Sequence, residues 1–258
     1  MSEHADTGTI LSHHFDDLEQ QHESSSLGMW AFLATEVMFF GGLFAAYAVY
    51  RSIEPRAFIA ASRHLDVALG GINTVVLLAS SLCMALAVRA SQLQRRVPLV
   101  GFLVATMVLG AAFLGIKAVE YSQDYRSHLI PGYNFDWAKA QAERGAEASP
   151  ITPEGGGSQQ ADDNPRPYQP GLGIETTAAP PRNRAEMFFV LYFFMTGLHA
   201  VHIIIGITLL GVIATLSWRG WLSGGGATQV EMTGLYWHFV DIVWVFLYPL
   251  LYLIDVHK

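Results

Sequence analysis

Five apolar segments, each long enough to cross a bilayer, constrain the fold of this chain more than any other feature. They lie at about residues 27–50, 67–88, 99–121, 187–218 and 230–254 of the 258-residue sequence. A transmembrane helix needs about 20 mainly apolar residues, and a helix satisfies its backbone hydrogen bonds within its own segment. Only 14% of the residues are charged, against about 25% in soluble domains. The sequence predicts an all-α integral membrane bundle of five transmembrane helices, built as one domain over residues 27–258.

Two polar stretches lie outside these segments. Residues 1–26 contain acidic residues but no Lys or Arg, which favours a polar N-terminal tail over a cleavable signal peptide. Residues 122–185 are rich in Gly, Pro and polar residues and contain few large apolar residues, so they cannot build a core of their own. We expect a long extramembrane insertion with little regular structure, in which residues 131–137 pack on the membrane surface.

Charge and cysteine content exclude several classes of function. The formal net charge is -7 and no cluster of Lys and Arg occurs, which speaks against nucleic-acid binding. Cys83 is the only cysteine and lies in an apolar run, so it predicts a buried thiol rather than a disulfide or a cysteine metal site. No nucleotide-binding loop or hydrolase motif is present.

Arginines in the connections between apolar segments bear on orientation. Arg89, Arg95, Arg96 and Arg219 fall in turns on the side of the N-terminus, whereas Arg51, Arg56 and Arg63 fall in the first connection on the opposite side. Under the positive-inside rule, this balance favours a cytoplasmic N-terminus and an external C-terminus.

A carboxyl group inside the first apolar segment is the strongest pointer to function. Glu36 is flanked by long apolar runs, and an ionisable group at such depth costs about 3 kcal/mol or more. One interpretation is a protonated acid that hydrogen-bonds a neighbouring helix, which is the commoner case for an arbitrary buried Glu. The other is a proton-active carboxyl group that would react with a hydrophobic carbodiimide.

Histidines and acids occur at helical spacing in the last two segments. His199 and His202 are three residues apart, and Glu231, His238 and Asp241 lie on one stripe. Such a set could bind a metal or ligate a haem. Mutual hydrogen bonding across the helix interface is the simpler interpretation and is favoured by spacing alone.

Polar residues also occur in the second and third segments. Asn73 and Thr74 suit hydrogen bonding between helices. Lys117 and Glu120 lie near the predicted end of the third segment, where we expect either a solvated helix end or a mutual ion pair rather than a catalytic pair.

Taken in order, these residues resemble subunit III of the haem-copper cytochrome c oxidases. The resemblance spans all five apolar segments and rests on the following runs: Glu36-Val-Met-Phe-Phe40, Asn73-Thr74, Glu120-Tyr121, Gly197 to Gly206 with its two histidines, and Tyr236-Trp-His-Phe-Val-Asp-Ile-Val-Trp244. The Trp-His-Phe-Val-Asp run is the most specific of them. Longer members of the family have seven helices, and this chain lacks the first two.

The resemblance implies a non-catalytic subunit of a respiratory oxidase in the bacterial inner membrane. Such a subunit packs against catalytic subunit I, in a complex with subunit II, and supports proton uptake during oxygen reduction. It holds no haem, copper or other metal of its own, because these centres belong to the catalytic partner, and it binds phospholipid. Cytochrome c or a fused electron-carrier domain would dock near the outer face.

The resemblance also assigns residues. The intramembrane glutamate of the family falls on Glu36, the histidine pair falls on His199 and His202, and the last-helix motif falls on His238 and Asp241. We expect these histidines and Asp241 to belong to a buried polar network that orients the last two helices, with Asn73, Glu120 and Glu231 as further members.

Two other functions remain open from the sequence. One is an accessory subunit of nitric oxide reduction, which the five-helix length would fit. The other is a haem-binding cytochrome b that uses the histidines as axial ligands. Co-purifying partners would decide the first, and a haem absorption band in the isolated chain would support the second.

Overall fold

The computed structural model describes residues 18–132, 135–148, 182–220 and 226–254, and within them the chain is helical without strands. Five of the seven helices in these ranges are long and apolar enough to cross a membrane, which confirms the predicted fold class. They are α1 (Leu18–Ile53), α3 (Val67–Gln92), α4 (Arg96–Arg126), α6 (Arg182–Trp218) and α7 (Gly226–Tyr252). Two shorter helices are α2 (Pro55–Ser62) and α5 (Trp137–Ala148).

Four of the long helices form a closed core. α3 packs against α4 and α7, and α6 closes the ring by packing against α4 and α7. α1 lies outside this ring against α6 and α7, while α2 bridges α1 and α6, and α5 rests on α6. The outward faces stay apolar, as the exposed side chains of Val37, Leu82, Val108, Phe194 and Phe246 show. Such faces suit contact with lipid or with other membrane helices.

Trp237 lies at the centre of the four-helix ring and is fully buried. Its indole Nε1 donates a hydrogen bond to Ser80 Oγ at 3.1 Å. Two glycines make room for its ring, because a Cβ at Gly110 would lie 2.7 Å from Trp237 Cη2 and one at Gly206 would lie 2.8 Å from Cε3. One side chain therefore joins α3, α4, α6 and α7 at close approach.

Local sequence explains where α3 begins and how it connects to α4. Asp66 caps α3, since its Oδ1 accepts hydrogen bonds from the backbone N–H of Ala68 at 2.9 Å and of Leu69 at 3.1 Å. After Gln92 the chain turns back at once, with Gln94 in the left-handed region (φ 54°). A turn this short forces α3 and α4 to be antiparallel neighbours.

The helices extend further than the apolar segments predicted. α1 begins at Leu18 and so includes part of the predicted polar tail, α4 continues to Arg126, and α6 begins at Arg182. Hydropathy identifies only the apolar part of a helix. The polar turns beyond it are helical because the backbone hydrogen bonding continues, and apolar content does not reveal them.

The expectation of little regular structure over residues 122–185 is wrong at both ends of that stretch and at α5, since these parts are helical. Phe135 and Trp137 pack on the bundle, with ring centroids 5.9 Å and 6.5 Å from that of Phe189 on α6. Both side chains are buried. Residues 1–17 and 149–181 lie outside the described ranges.

Candidate functional site

Glu36 faces inward on α1 and meets a histidine of α6. Its Oε2 lies 3.3 Å from Nε2 of His202, and the two side chains are 20% and 12% exposed. Inward-facing positions recur along α1 every three or four residues and include Leu33, Phe40 and Tyr47. Helix periodicity therefore places Glu36 on the side of α1 that packs against the ring.

The other ring nitrogen of His202 determines the protonation state of this pair. Nδ1 lies 2.9 Å from the backbone carbonyl oxygen of Leu198, and a carbonyl oxygen can only accept, so Nδ1 carries a proton. A hydrogen bond between Nε2 and Glu36 then requires one proton between them, either on Nε2 or on the carboxyl group. In both cases the pair has no net charge, which suits its place between membrane-spanning helices.

Aromatic side chains surround the pair and hold the histidine in place. The ring centroid of Phe40 lies 5.4 Å from that of His202. Tyr236 on α7 donates a hydrogen bond from its hydroxyl group to the backbone carbonyl of His202 at 3.1 Å. Three helices, α1, α6 and α7, thus position one proton-sharing contact.

His199 shares a helix face with His202 but has different surroundings. It is fully buried between Phe113 and Trp244, with ring centroids 5.5 Å and 5.2 Å away. Neither ring nitrogen has a hydrogen-bond partner among the described residues. The structure therefore does not connect His199 with His202 through hydrogen bonds.

His238 and Glu231 of α7, together with Trp244, donate or accept hydrogen bonds with α3 rather than α6. Nδ1 of His238 lies 2.6 Å from Ser81 Oγ, Glu231 Oε1 accepts from Gln92 Nε2 at 2.8 Å, and Trp244 Nε1 donates to Thr74 Oγ1 at 3.1 Å. We call this line of contacts the α3–α7 seam. Asp241 is buried in α7, 3% exposed, and neither of its oxygens has a hydrogen-bond partner among the described residues.

Lys117 and Glu120 form an ion pair inside the bundle, with Lys117 Nζ 2.8 Å from Glu120 Oε2 and both side chains at most 5% exposed. The mutual pairing matches the expectation, but the end of α4 is not solvated here. Tyr192 and Tyr252 complete the cluster. The Tyr192 hydroxyl group accepts a hydrogen bond from Lys117 Nζ at 3.2 Å and donates one to Glu120 Oε1 at 3.0 Å. The Tyr252 hydroxyl group does the same, at 2.9 Å and 2.5 Å. The cluster joins α4, α6 and α7.

Sequence reasoning missed three members of this region. Tyr192 and Tyr252 carry no local signal, because a tyrosine in an apolar run reads as a core or interfacial residue. Asp124 falls within the predicted insertion 122–185, yet it lies on the buried face of α4 and is 5% exposed. The spacing of Lys117, Glu120 and Asp124, by three and four residues, was the one available sign of a shared face.

The predicted polar residues thus occupy separate places rather than one continuous network. Glu36 pairs with His202, His238 and Glu231 belong to the α3–α7 seam, and Glu120 belongs to the lysine cluster. The side-chain amide of Asn73 is fully buried without a hydrogen-bond partner in the described ranges. Those ranges also contain no group of three His, Cys, Asp or Glu side chains arranged to hold a metal ion.

The five long apolar helices identify the class of protein, a multi-pass helical membrane protein. Its interior contains paired ionisable groups. Comparison with known proteins gives the family. The family model described as Cytochrome c oxidase subunit III matches residues 173–256. This segment contains α6 and α7, and hence His199, His202, His238 and Asp241.

Relatives extend the similarity over nearly the whole chain. Cytochrome c oxidase subunit 3 of Thermostichus vulcanus is 27% identical over 96% of this chain and 94% of its own length. Quinol oxidase subunit 3 of Bacillus subtilis is 25% identical over 97% of both chains. Heme-copper oxidase subunit I+III of Aeropyrum pernix is 26% identical over 88% of this chain and 22% of its own length.

The chain is thus similar over nearly its whole length to subunit III of the haem-copper oxidases. This confirms the resemblance seen in the sequence. The names of the matched proteins support neither a nitric oxide reductase accessory subunit nor a cytochrome b.

Proposed function

We propose that this subunit stabilises the oxygen-reducing catalytic subunit and supports its proton uptake through the Glu36–His202 pair. The observation that carries the proposal is the contact of 3.3 Å between Glu36 Oε2 and His202 Nε2 inside the membrane-spanning part of the chain. Because Nδ1 of His202 is already committed to Leu198, the proton in the contact is shared by two groups and can be held or released without a large structural change.

The surroundings suit a group that takes up and releases a proton. The carboxyl group is partly exposed, at 20%, which leaves it open to proton exchange with groups outside this chain. The protonated form of such a carboxyl group is also the form that reacts with a hydrophobic carbodiimide, because it gives its proton to a carbodiimide nitrogen while a carboxyl oxygen adds to the central carbon. We therefore propose Glu36 as the carbodiimide-reactive residue of this chain.

The partner we propose is subunit I, with subunit II in the same complex. The Aeropyrum pernix relative is named as a fusion of subunits I and III, which supports direct contact between the two. In this proposal the haem and copper belong to the catalytic partner, and this chain contributes helices, bound phospholipid and the proton-sharing pair. We further propose cytochrome c, or a fused electron-carrier domain near the outer face, as the electron donor, in line with the name of the Thermostichus vulcanus relative.

We propose the bacterial inner membrane as the location, with the N-terminus in the cytoplasm and the C-terminus in the periplasm. The short turn that contains Arg95 and the end of α6 lie close together, since a Cβ at Gly220 would lie 2.9 Å from Arg96 Nη1. This end of the bundle therefore gathers the arginines that the positive-inside rule places in the cytoplasm.

The experiment compares Glu36→Gln with the wild type in the purified oxidase complex. Oxygen consumption is followed from the first turnover until the enzyme inactivates, together with proton uptake in vesicles. We expect the variant to start at nearly the wild-type rate of oxygen consumption. It should then stop pumping protons, or inactivate, severalfold sooner than the wild type. The corresponding Glu36→Ala change should act in the same direction, with added loss of packing.

Glu23→Gln is the matched control, because Glu23 lies on the same helix near its start, on the exposed side. It should behave as the wild type. Equal loss of oxygen consumption and proton uptake from the first turnover in Glu36→Gln would contradict a supporting role. Purification of the wild-type chain without any oxidase catalytic subunit would contradict the assembly itself.

A further inference from the structure

Two polar side chains in the interior of the four-helix ring lack a hydrogen-bond partner in the described part of the chain. They are Asn73 on α3 and His199 on α6, and both have an exposed fraction of 0%. The amide oxygen and nitrogen of Asn73 and both ring nitrogens of His199 are without a partner there. Buried polar atoms in proteins are paired in the large majority of cases, either with protein groups or with ordered water. These two side chains therefore need a partner other than the neighbouring helices.

His199 belongs to one layer of the ring, together with Phe113 on α4 and Trp244 on α7. The ring centroids of Phe113 and Trp244 lie 5.5 Å and 5.2 Å from that of His199, and 4.8 Å from each other. Trp244 also reaches α3, because its Nε1 donates a hydrogen bond to Thr74 Oγ1 at 3.1 Å. Thr74 is the neighbour of Asn73 in the chain, so the layer extends to the helix that carries Asn73.

Helix geometry places Asn73 in the same layer. α3 and α4 are antiparallel, and Thr106 Oγ1 lies 3.5 Å from the backbone carbonyl oxygen of Ser80. Asn73 and Phe113 each lie seven residues from this contact, toward the same end of the bundle. Seven residues are about two helical turns, so Asn73 and Phe113 share a level and continue the buried faces of their helices. We call this set of four residues, one from each helix of the ring, the Asn73–His199 layer.

The donors and acceptors of the two polar side chains determine which ligand can pair them. The amide of Asn73 needs an acceptor for its N–H groups and a donor for its oxygen, and the neutral imidazole of His199 has one N–H donor and one acceptor nitrogen. A cation can meet only the acceptors, and a simple anion only the donors. A water molecule both donates and accepts, and a buried water makes about three hydrogen bonds to such groups.

The surroundings of the layer also favour a neutral ligand. Lys117 Nζ lies 5.2 Å from the centroid of the Trp244 ring, so one positive charge already borders the layer and disfavours a second. An ammonium group has three N–H donors, and those of Lys117 are directed to Glu120, Tyr192 and Tyr252. The charge next to the layer is therefore already paired and does not attract an anion.

We propose that the Asn73–His199 layer is a binding site for water inside the four-helix ring, in which bound water pairs the amide of Asn73 and the ring nitrogens of His199. The site lies between the level of Trp237, which bonds Ser80, and the lysine cluster. It shares no residue with the Glu36–His202 pair. The proposal does not depend on the function proposed above, and its test does not measure that function.

Radiolytic labelling of the purified oxidase complex in 18O-labelled water tests the site, because hydroxyl radicals formed from a bound water oxidise the side chains around it. Phe113 and Phe188 are matched, since both have an exposed fraction of 0%. Phe113 borders the layer, whereas Phe188 packs against Phe58, with ring centroids 5.4 Å apart. We expect mass spectrometry to show severalfold faster incorporation of 18O at Phe113 than at Phe188. Equal rates in the wild type would overturn the proposal.

A double variant tests whether the two polar side chains hold the water. Asn73→Leu/His199→Phe removes their polar atoms at similar volume, so labelling of Phe113 should fall to the rate of Phe188. Thr208→Val is the control, because Thr208 lies on an exposed side of the helix that carries His199, and labelling of Phe113 should stay at the wild-type rate. Undiminished labelling of Phe113 in the double variant would also overturn the proposal. If the double variant does not assemble, the comparison of Phe113 with Phe188 in the wild type decides.

Discussion

Single residues decide how closely the four-helix ring packs. Trp237 fills the centre of the ring only because Gly110 and Gly206 leave space for its indole ring. The next residue, His238, contacts Ser81 in the α3–α7 seam. Consecutive residues of α7 therefore serve two purposes: the tryptophan fixes the ring, and the histidine after it meets α3.

Adding a methyl group at Gly110 tests this packing. In Gly110→Ala the new Cβ would lie 2.7 Å from Trp237 Cη2, so the ring or the helix must shift, at a cost of about 1–3 kcal/mol. We expect a lower thermal unfolding temperature in detergent. Gly115→Ala on the same helix is the control, since its Cβ meets nothing within 4 Å. Equal unfolding temperatures for the two variants would show that Trp237 is not tightly enclosed.

The lysine cluster gives a second prediction at this scale. Lys117→Met removes the only cation that contacts Glu120 among the described residues and leaves its carboxylate buried, which costs about 3–5 kcal/mol. We expect a marked loss of stability, measured by thermal unfolding. The double variant Lys117→Met/Glu120→Gln should recover part of it, because the buried charge is then absent. Lys139→Met, at an exposed site, serves as the control, and a double variant no more stable than Lys117→Met would count against the argument.

Whole helices depend on their ends as well as on their apolar faces. Asp66 caps α3 with two backbone hydrogen bonds, whereas Arg95, which precedes α4, makes no side-chain capping bond. Asp66→Ala should therefore destabilise the protein by about 1 kcal/mol, and Arg95→Ala should not. Thermal unfolding of the two variants side by side measures the difference, and similar values would show that the cap of α3 contributes little.

Helix α5 is tied to the bundle by the aromatic residues that precede it. Trp137 is buried against Phe189, so Trp137→Ala should release α5 and expose the backbone around Lys139. Limited trypsin digestion should then cleave after Lys139 several times faster than in the wild type. Trp218→Ala, at an exposed tryptophan of α6, should leave the rate unchanged. Unchanged cleavage in Trp137→Ala would place the attachment of α5 elsewhere.

At the scale of the whole molecule, five crossings put the two ends of α4 on opposite sides of the membrane. In a Cys83→Ser background, Ser127→Cys should react with a membrane-impermeant maleimide added outside intact cells. Leu93→Cys should react only after the cells are opened. The reverse pattern would invert the proposed orientation, and reaction of both from one side would contradict the crossing of α4.

Much of the candidate site was predictable because it consists of ionisable residues in apolar runs. Glu36 and His202 stood out on that basis, although their pairing with each other was not predicted. Tyr192, Tyr252 and the burial of Asp124 were not predictable in this way. Their roles depend on which residues of other helices lie opposite, and apolar periodicity does not encode that.

The sequence by itself determined the class of fold, since apolar segments of this length have a stable place only as helices across a membrane. It also marked the residues that such a membrane makes costly to bury. Only the tertiary structure decided their partners, turning one expected network into a proton-sharing pair, a lysine cluster and the α3–α7 seam. The physical reason is that helix rotation and depth are set by side-chain packing across all neighbours at once, as in the fit of Trp237 between Gly110 and Gly206, and no single segment contains that information.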